Sequence, residues 1–205
     1  MRNRVTPLGD IVAIPQRGAW LGNRGILHEG TTVVRFHRSP LWIICTLSHK
    51  DWRLPQWQPH HFTVLFFHDE AVALAAGHRP CALCRRGSYN DYRAALAAGR
   101  AGEVLLAKEI DRLLHGERIH RGTHRRRLHP LPWMELPVGT FVSLDDGPAL
   151  VGPDSVVPWT TEGYGTARER PSRGTADVIT PPSTVDALRQ GYRPQIDSAA
   201  GIEVG

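Results

Sequence analysis

The chain has 205 residues, of which 41% are hydrophobic and 22% are charged, and its formal net charge is +5 at pH 7. This composition is typical of a globular protein, and a chain of this length can bury a core without a metal as its only source of stability. The absence of an eighteen-residue apolar run, and of the apolar stretch of a signal peptide, predicts a cytoplasmic protein without a membrane span. The positive charge favours acidic partners, nucleic acid first among them.

Short strand patterns separated by glycines and prolines occupy the first third of the chain. The predicted strands are Ile11–Ile14, Thr32–Phe36, Leu41–Leu47 and Phe62–Phe67. The last of them, with the sequence FTVLFF, has the clearest strand pattern.

The middle of the chain changes to helical spacing. Asp69 is the predicted N-cap of a helix over Glu70–Ala76, which Gly77 ends. Two further helices are predicted over Tyr89–Ala98 and Glu103–Leu114, because their apolar residues recur at helical spacing.

After Pro130 the pattern returns to short strands and ends with one helix. The predicted elements are strands over Thr140–Leu144, Ala149–Val151, Val156–Thr160 and Asp177–Thr180 and a helix over Thr184–Gln190. Short N-terminal strands, central helices and a small β-rich C-terminal part together predict the α+β class. A boundary is expected between residues 1–130 and 131–205, which form either two domains or one, and the last residues are expected to be a mobile tail.

Two cysteines in the middle of the chain have the spacing of a metal-binding knuckle. Cys81 and Cys84 form a C-x-x-C motif that Pro80 precedes and a predicted helix follows, and a helix N-terminus stabilises thiolates. In a cytoplasmic protein this spacing indicates metal or redox chemistry more often than a structural disulfide, and we predict a Zn²⁺ site. A redox pair is the alternative, but a thioredoxin-like site follows a strand, whereas this pair follows a helix and a glycine. The central helices are therefore expected to surround a zinc knuckle.

Two further ligands are needed to complete a tetrahedral zinc site. Cys45 is the predicted third ligand, and the alternative for it is a buried core thiol. The fourth ligand is a histidine by elimination, and four histidines precede the pair: His28, His37, His49 and His68. We favour His28, because it lies in a glycine-bounded segment (GNRGILHEG) in which a side chain can be aimed freely.

The segment Leu65–Arg86, with the sequence LFFHDEAVALAAGHRPCALCRR, resembles the second half of the metal-binding domain of Ada-type DNA-repair methyltransferases. The shared pattern is an aromatic strand end, an alanine-rich helix and A-G-[aromatic]-R-P-C-x-x-C. The resemblance implies zinc binding by Cys81 and Cys84 and a role on DNA. That family has a second cysteine pair upstream, of which one member accepts a methyl group, whereas this chain has Cys45 alone. The remainder resembles bacterial proteins of unassigned role.

A very basic segment follows the last central helix. Guanidinium groups match the geometry of phosphate oxygens, so the segment predicts contacts to a nucleic-acid backbone, with a solvated surface loop as the alternative. The candidate phosphate-binding residues are Arg118, Arg121, Arg125, Arg126 and Arg127.

Three ionisable residues on one predicted helix are the candidates for catalysis. Asp111 and His115 share a helix face and Glu117 follows closely, although the same spacing arises in any solvated helix. The favoured function is a zinc-binding protein that binds nucleic acid. A nuclease or repair transferase and a structural or protein-interaction module remain as alternatives, so whether the protein is an enzyme stays undecided.

Overall fold

The computed structural model describes residues 1–50 and 55–202, and its fold is α+β, as the sequence predicts. The elements of the first 118 residues are β1 (Arg4–Val5), β2 (Ile11–Val12), β3 (Trp20–Asn23), β4 (His28–Glu29), β5 (Thr32–Val33), β6 (Ile43–Cys45), β7 (Leu65–Phe67), α1 (Glu70–Ala75), β8 (Arg79–Pro80), α2 (Arg86–Ala98) and α3 (Ala107–Arg118). They are followed by β9 (His129–Pro132), β10 (Phe141–Leu144), β11 (Gly147–Val151), β12 (Ser155–Thr160), β13 (Gly163–Tyr164), β14 (Arg168–Glu169), β15 (Thr175–Val178) and α4 (Pro182–Arg189).

The first sheet contains six strands in the order β2-β1-β7-β3-β6-β8. At one edge β6 and β8 are parallel, with Ile43 opposite Arg79. The sequence did not predict β3, which lies between β6 and β7. A side chain at Gly22 of this strand would place its Cβ 2.4 Å from Cε2 of Phe67, so only glycine permits this close packing.

The second sheet contains seven strands, with the path β13-β12-β11-β10-β15-β9 and β14 paired to β12. All of its pairings are antiparallel. The strands β10, β11 and β12 confirm the three successive strands that the sequence predicts over residues 140–160. Antiparallel strands joined by short turns suit this part of the chain because its turn residues recur at short intervals.

The helix α1 is buried along its whole length and contacts β7 of the first sheet and β10 of the second. Asp69 is its N-cap, as predicted, and its carboxylate accepts a 2.8 Å hydrogen bond from the backbone N–H of Val72. The main hydrophobic core therefore includes residues from both sheets, among them Phe67 and Phe141. Within residues 1–50 and 55–202, no helix combines the length and the hydropathy that a membrane span requires.

Two adjacent carboxylates before and at the start of α1 bind the C-terminal tail. Asp69 accepts a 3.0 Å hydrogen bond from the backbone N–H of Asp197, and Glu70 accepts one of 3.1 Å from that of Gln195. Glu70 also forms a buried ion pair with Arg85 at 2.8 Å. Residues 195–197 of the tail are therefore held against the first turn of α1, whereas the sequence predicts a mobile segment there.

Candidate functional site

The three cysteines of the chain meet at the edge of the first sheet. Cys45 ends β6 and Cys81 directly follows β8, so the parallel pairing of these strands places them side by side, and the N–H of Cys81 donates to the carbonyl of Ile44 at 2.9 Å. A turn before α2, with a 3.1 Å hydrogen bond from the N–H of Arg85 to the carbonyl of Cys81, brings Cys84 back towards them. The three sulfur atoms all lie within 4.8 Å of one another.

This arrangement could hold a metal ion. Thiolates bind zinc at about 2.3 Å, which places the sulfurs of a tetrahedral site about 3.8 Å apart, so only small movements would close these three on an ion. In the part of the chain that the structure describes, no other group of three or more histidine, cysteine or carboxylate side chains comes together in this way.

The surroundings of Cys81 favour its ionised form. A hydrogen bond with the thiol of Cys45, supported by the backbone N–H groups of Cys84 and Leu83, lowers the pKa of Cys81 to about 5 against the opposing effect of burial. The same hydrogen bond, together with burial, raises the pKa of Cys45. One thiol therefore donates to a neighbouring thiolate, and a bound cation would take the place of the shared proton.

A small cavity of about 180 Å³ adjoins the three sulfurs, and His49 is among the residues that line it. The other residues of its wall are Asn23, Ile43, Thr46, Leu47, Phe62 and Leu83. His49 lies on the segment that leaves β6, shortly after Cys45. Imidazole is a common partner of thiolates at zinc, and His49 is the histidine that lines this cavity, although it lies outside the group of three mutually close sulfur atoms.

The structure does not bring His28, the predicted fourth ligand, to the cysteines. Its Nδ1 lies 2.7 Å from Oγ1 of Thr63, and its buried ring packs edge-on against Trp57 with centroids 5.4 Å apart. The physical reason is the β4–β5 hairpin, which fixes the backbone of a segment that the sequence suggested to be an adaptable loop. Of the other candidates, His37 lines a different cavity and His68 accepts a hydrogen bond from the second sheet.

The three candidate catalytic residues lie on α3 but have different partners. Asp111 forms a bidentate ion pair with the buried Arg79, at 2.8 and 2.9 Å. Nδ1 of His115 accepts a hydrogen bond of 2.9 Å from Arg118. Glu117 accepts two hydrogen bonds, of 2.6 and 3.1 Å, from the first turn of α4. The three therefore do not form an acid–base cluster, and each has a structural contact of its own.

Arg118, a candidate phosphate ligand, is a fully buried residue. It donates to the carbonyls of Gly77 at 2.8 Å and Pro40 at 2.7 Å, and its guanidinium carbon lies 3.9 Å from the ring centroid of Trp42. Arg24 is equally buried, and its guanidinium lies at the same distance from the same ring. The chain thus carries two positive charges into its interior beside one tryptophan, an arrangement that cation–π attraction stabilises.

Of the other four candidate arginines, one points inwards and three are exposed. Arg126 donates to two backbone carbonyls, one at the end of α1 and one just after β15, and so anchors its loop to the core. Arg121, Arg125 and Arg127 are exposed, and Arg127 also donates to the carbonyl of Gly116 at 2.6 Å. The surface that could meet a nucleic-acid backbone is therefore smaller than the sequence suggests.

A basic cavity of about 790 Å³ lies between α3 and the loop that follows it. The ionisable residues that line it are Arg112, Arg121, Arg127, His37, His115 and His124, and no carboxylate of the described residues is among them. Burial, and then the charge of Arg118, lowers the pKa of His115 to about 4, so its ring is neutral at pH 7. Because Nδ1 of this ring accepts from Arg118, the ring proton is on Nε2.

The chain matched none of the family models, curated proteins or solved structures with which it was compared. Its function must therefore be inferred from the cysteine cluster and the basic cavity themselves.

Proposed function

We propose that the protein binds one zinc ion through Cys45, Cys81 and Cys84, with His49 as the fourth ligand, and that the zinc-stabilised fold binds nucleic acid. The observation that carries the metal site is the mutual approach of three sulfur atoms to within 4.8 Å. Zinc suits this donor set because it prefers thiolate and imidazole ligands in a tetrahedron.

The segment that resembles the Ada-type metal-binding domain contains two of these ligands, Cys81 and Cys84, which supports zinc as the metal. The third ligand, Cys45, comes from the neighbouring strand, so a bound ion would tie the end of β6 to the turn before α2. Such a site is structural in character, since four protein ligands leave no open position for a substrate.

Metal analysis of the purified protein tests the site. We expect one zinc ion per chain in the wild type, and loss of most of it in Cys45→Ser and in Cys81→Ser, because each removes one thiolate ligand. His49→Ala is expected to retain zinc with a weaker affinity, measured by competition with a chromophoric chelator. A protein that is metal-free after purification and binds no added Zn²⁺ would contradict the proposal.

His28→Ala is the matched control for His49→Ala, because it removes an imidazole that is hydrogen-bonded to Thr63 and does not line the cavity beside the cysteines. We expect zinc affinity to be unchanged in His28→Ala. The visible spectrum of the Co²⁺-substituted protein adds a direct readout, since replacement of a nitrogen ligand by water alters its absorption bands in His49→Ala and leaves them unaltered in His28→Ala.

The nucleic-acid part of the proposal is supported by the exposed arginines of the loop after α3, Arg121, Arg125 and Arg127, and by the net charge of +5. Guanidinium groups bind phosphate oxygens in pairs of hydrogen bonds, and such contacts release counterions. We therefore expect the affinity for nucleic acid to depend little on base sequence and to decrease steeply as salt is added.

Fluorescence anisotropy with labelled single- and double-stranded DNA and RNA, at several salt concentrations, tests this binding. Arg121→Gln/Arg125→Gln is expected to weaken binding about tenfold or more and to reduce the salt slope by about 2. The double variant Arg17→Gln/Arg173→Gln removes the same charge from exposed positions outside the loop and is expected to change little. Zinc-loaded protein that binds none of these probes would instead favour an interaction with another protein.

A further inference from the structure

The two guanidinium groups beside Trp42 are hydrogen-bonded only to neutral acceptors. Arg24 donates to the carbonyl of Gly9 at 2.9 Å and to Nε2 of His78 at 3.2 Å. The partners of Arg118 are two backbone carbonyls and His115. In the described part of the chain, no carboxylate oxygen lies within 4.0 Å of either group.

Both groups also keep polar atoms without a partner. Nη2 of Arg24 and Nε of Arg118 are buried, and neither has a hydrogen-bond acceptor among the residues that the structure describes. Carboxylates act on the two groups only without direct contact: Asp10 on Arg24, and Asp111 on Arg118, although Asp111 is already paired with Arg79. Buried charges in folded proteins are normally paired, so this pair of arginines lacks a counter-charge.

The basic cavity is lined by side chains that contact these two arginines, although neither arginine lines it itself. His115, which accepts the hydrogen bond from Arg118, lines the cavity. Phe36 also lines it, and the guanidinium of Arg24 lies 4.8 Å from its ring centroid. The cavity therefore combines exposed arginines on its wall with two buried positive charges behind it, and a low-dielectric wall focuses their field on the space within.

We infer that the basic cavity binds a phosphate group, which supplies the negative charge that the buried pair of Arg24 and Arg118 lacks within the chain. Arg112, Arg121 and Arg127 provide guanidinium donors on its wall, and the Nε2–H of His115 provides a neutral donor. The volume of about 790 Å³ exceeds that of a single phosphate and falls in the range of small-molecule sites, so the cavity accommodates a phosphate monoester of nucleotide size.

Binding of inorganic phosphate is the first test. In isothermal titration calorimetry and in thermal unfolding at fixed ionic strength, phosphate is expected to bind and to raise Tm, whereas chloride at the same ionic strength does not. Equal effects of the two anions, with no heat of phosphate binding, would overturn the inference.

A carboxylate placed inside the cavity gives a sharper test. Gly116 lies on the exposed face of α3 and lines the cavity, and a Cβ built there meets no atom within 4 Å. Gly116→Glu is expected to supply an internal counter-charge, so the Tm of this variant without phosphate should exceed the Tm of the neutral control Gly116→Gln. Phosphate should bind to Gly116→Glu about tenfold more weakly than to Gly116→Gln. Identical phosphate affinities in the two variants would contradict the site.

Single arginine variants keep the test decisive if the glycine variants misfold. Arg112→Gln removes a charge from the cavity wall and is expected to weaken phosphate binding about tenfold. Arg173→Gln removes an exposed charge that does not line the cavity and is expected to leave the affinity unchanged. Equal effects of these two substitutions would show that phosphate responds to net charge alone.

Two kinds of ligand can present such a phosphate group: a small phosphorylated molecule and the end of a nucleic-acid strand. Titrations with adenosine 5′-monophosphate and adenosine test the first, and oligonucleotides with a 5′-phosphate or a 5′-hydroxyl test the second. Tighter binding of the phosphorylated member of either pair supports the cavity. Nucleic-acid binding that depends on Arg125, which does not line the cavity, but not on a 5′-phosphate would leave the proposed function intact and reject this site.

Discussion

The backbone carbonyl of Gly77 accepts a 2.8 Å hydrogen bond from Nη1 of Arg118, and a side chain at Gly77 would collide with that same arginine. A Cβ there would lie 2.5 Å from Cδ of Arg118, and the φ angle of +86° belongs to the left-handed region that favours glycine. Because this turn links α1 to β8, it positions both the buried guanidinium and the segment that leads to Cys81.

Gly77→Ala is therefore expected to reduce the free energy of unfolding by roughly 2–4 kcal/mol, through left-handed strain and overpacking against Arg118. Urea denaturation followed by circular dichroism measures the change. Gly87→Ala on α2 is the control, because a Cβ there meets nothing within 4 Å and a helical alanine stabilises by about 0.5–1 kcal/mol. Similar effects of the two substitutions would rule out a special role for the turn.

Asp111→Ala is expected to destabilise the protein by about 3–5 kcal/mol, because it leaves the buried guanidinium of Arg79 without its bidentate partner. The double variant Arg79→Met/Asp111→Leu removes both charges and is expected to recover most of the loss. Unfolding free energies of the three proteins test this. A stable Asp111→Ala protein that has lost a measurable activity would instead support the catalytic role that the sequence suggested.

Stability is expected to decrease as the pH falls from about 6.5 towards about 4, in part because of His115. Burial and Arg118 hold the pKa of His115 at about 4 in the folded state, below its ordinary value of 6.5, so the unfolded chain takes up a proton that the folded protein does not. Unfolding free energies at pH 7, 6 and 5 measure the slope. His115→Gln is expected to flatten it, whereas His120→Gln, at an exposed position, leaves it unchanged; equal slopes in all three proteins would exclude His115 as a cause.

Removal of the proposed zinc ion with a chelator is expected to lower Tm by roughly 10 °C without unfolding the protein at 25 °C. The two sheets and α1 form an extensive core, so a bound metal would add to stability that already exists. Differential scanning calorimetry before and after chelation measures the shift, and far-ultraviolet circular dichroism checks that the fold persists. Complete unfolding on chelation would show that the core is insufficient by itself.

The features that the sequence predicted correctly are those that local pattern controls. Asp69 caps α1 as expected, since an N-cap depends on the next few residues alone. The approach of Cys81 to Cys84 follows from their spacing. The strand β3 was missed because Gly22 suggests a loop, and its role in packing against Phe67 depends on residues far along the chain.

The errors concern residues whose environment is set by distant parts of the chain. A charged side chain is expected at the surface, and nothing near Arg118 in sequence indicates that it lies beside Trp42. The position of His28 away from the cysteines, and of His49 beside their cavity, depends in the same way on strand pairings that no local pattern reveals.

Parallel neighbours cannot be joined by a tight hairpin, and the connection from β6 to β8 passes through β7 and α1 before it returns to the same edge. Cys45 therefore approaches the other two cysteines only when the whole connection from β6 to β8 has folded. An ion held by all three would bind tightly only after the intervening chain has folded. Its affinity would depend on the closure of a long loop rather than on a local peptide conformation.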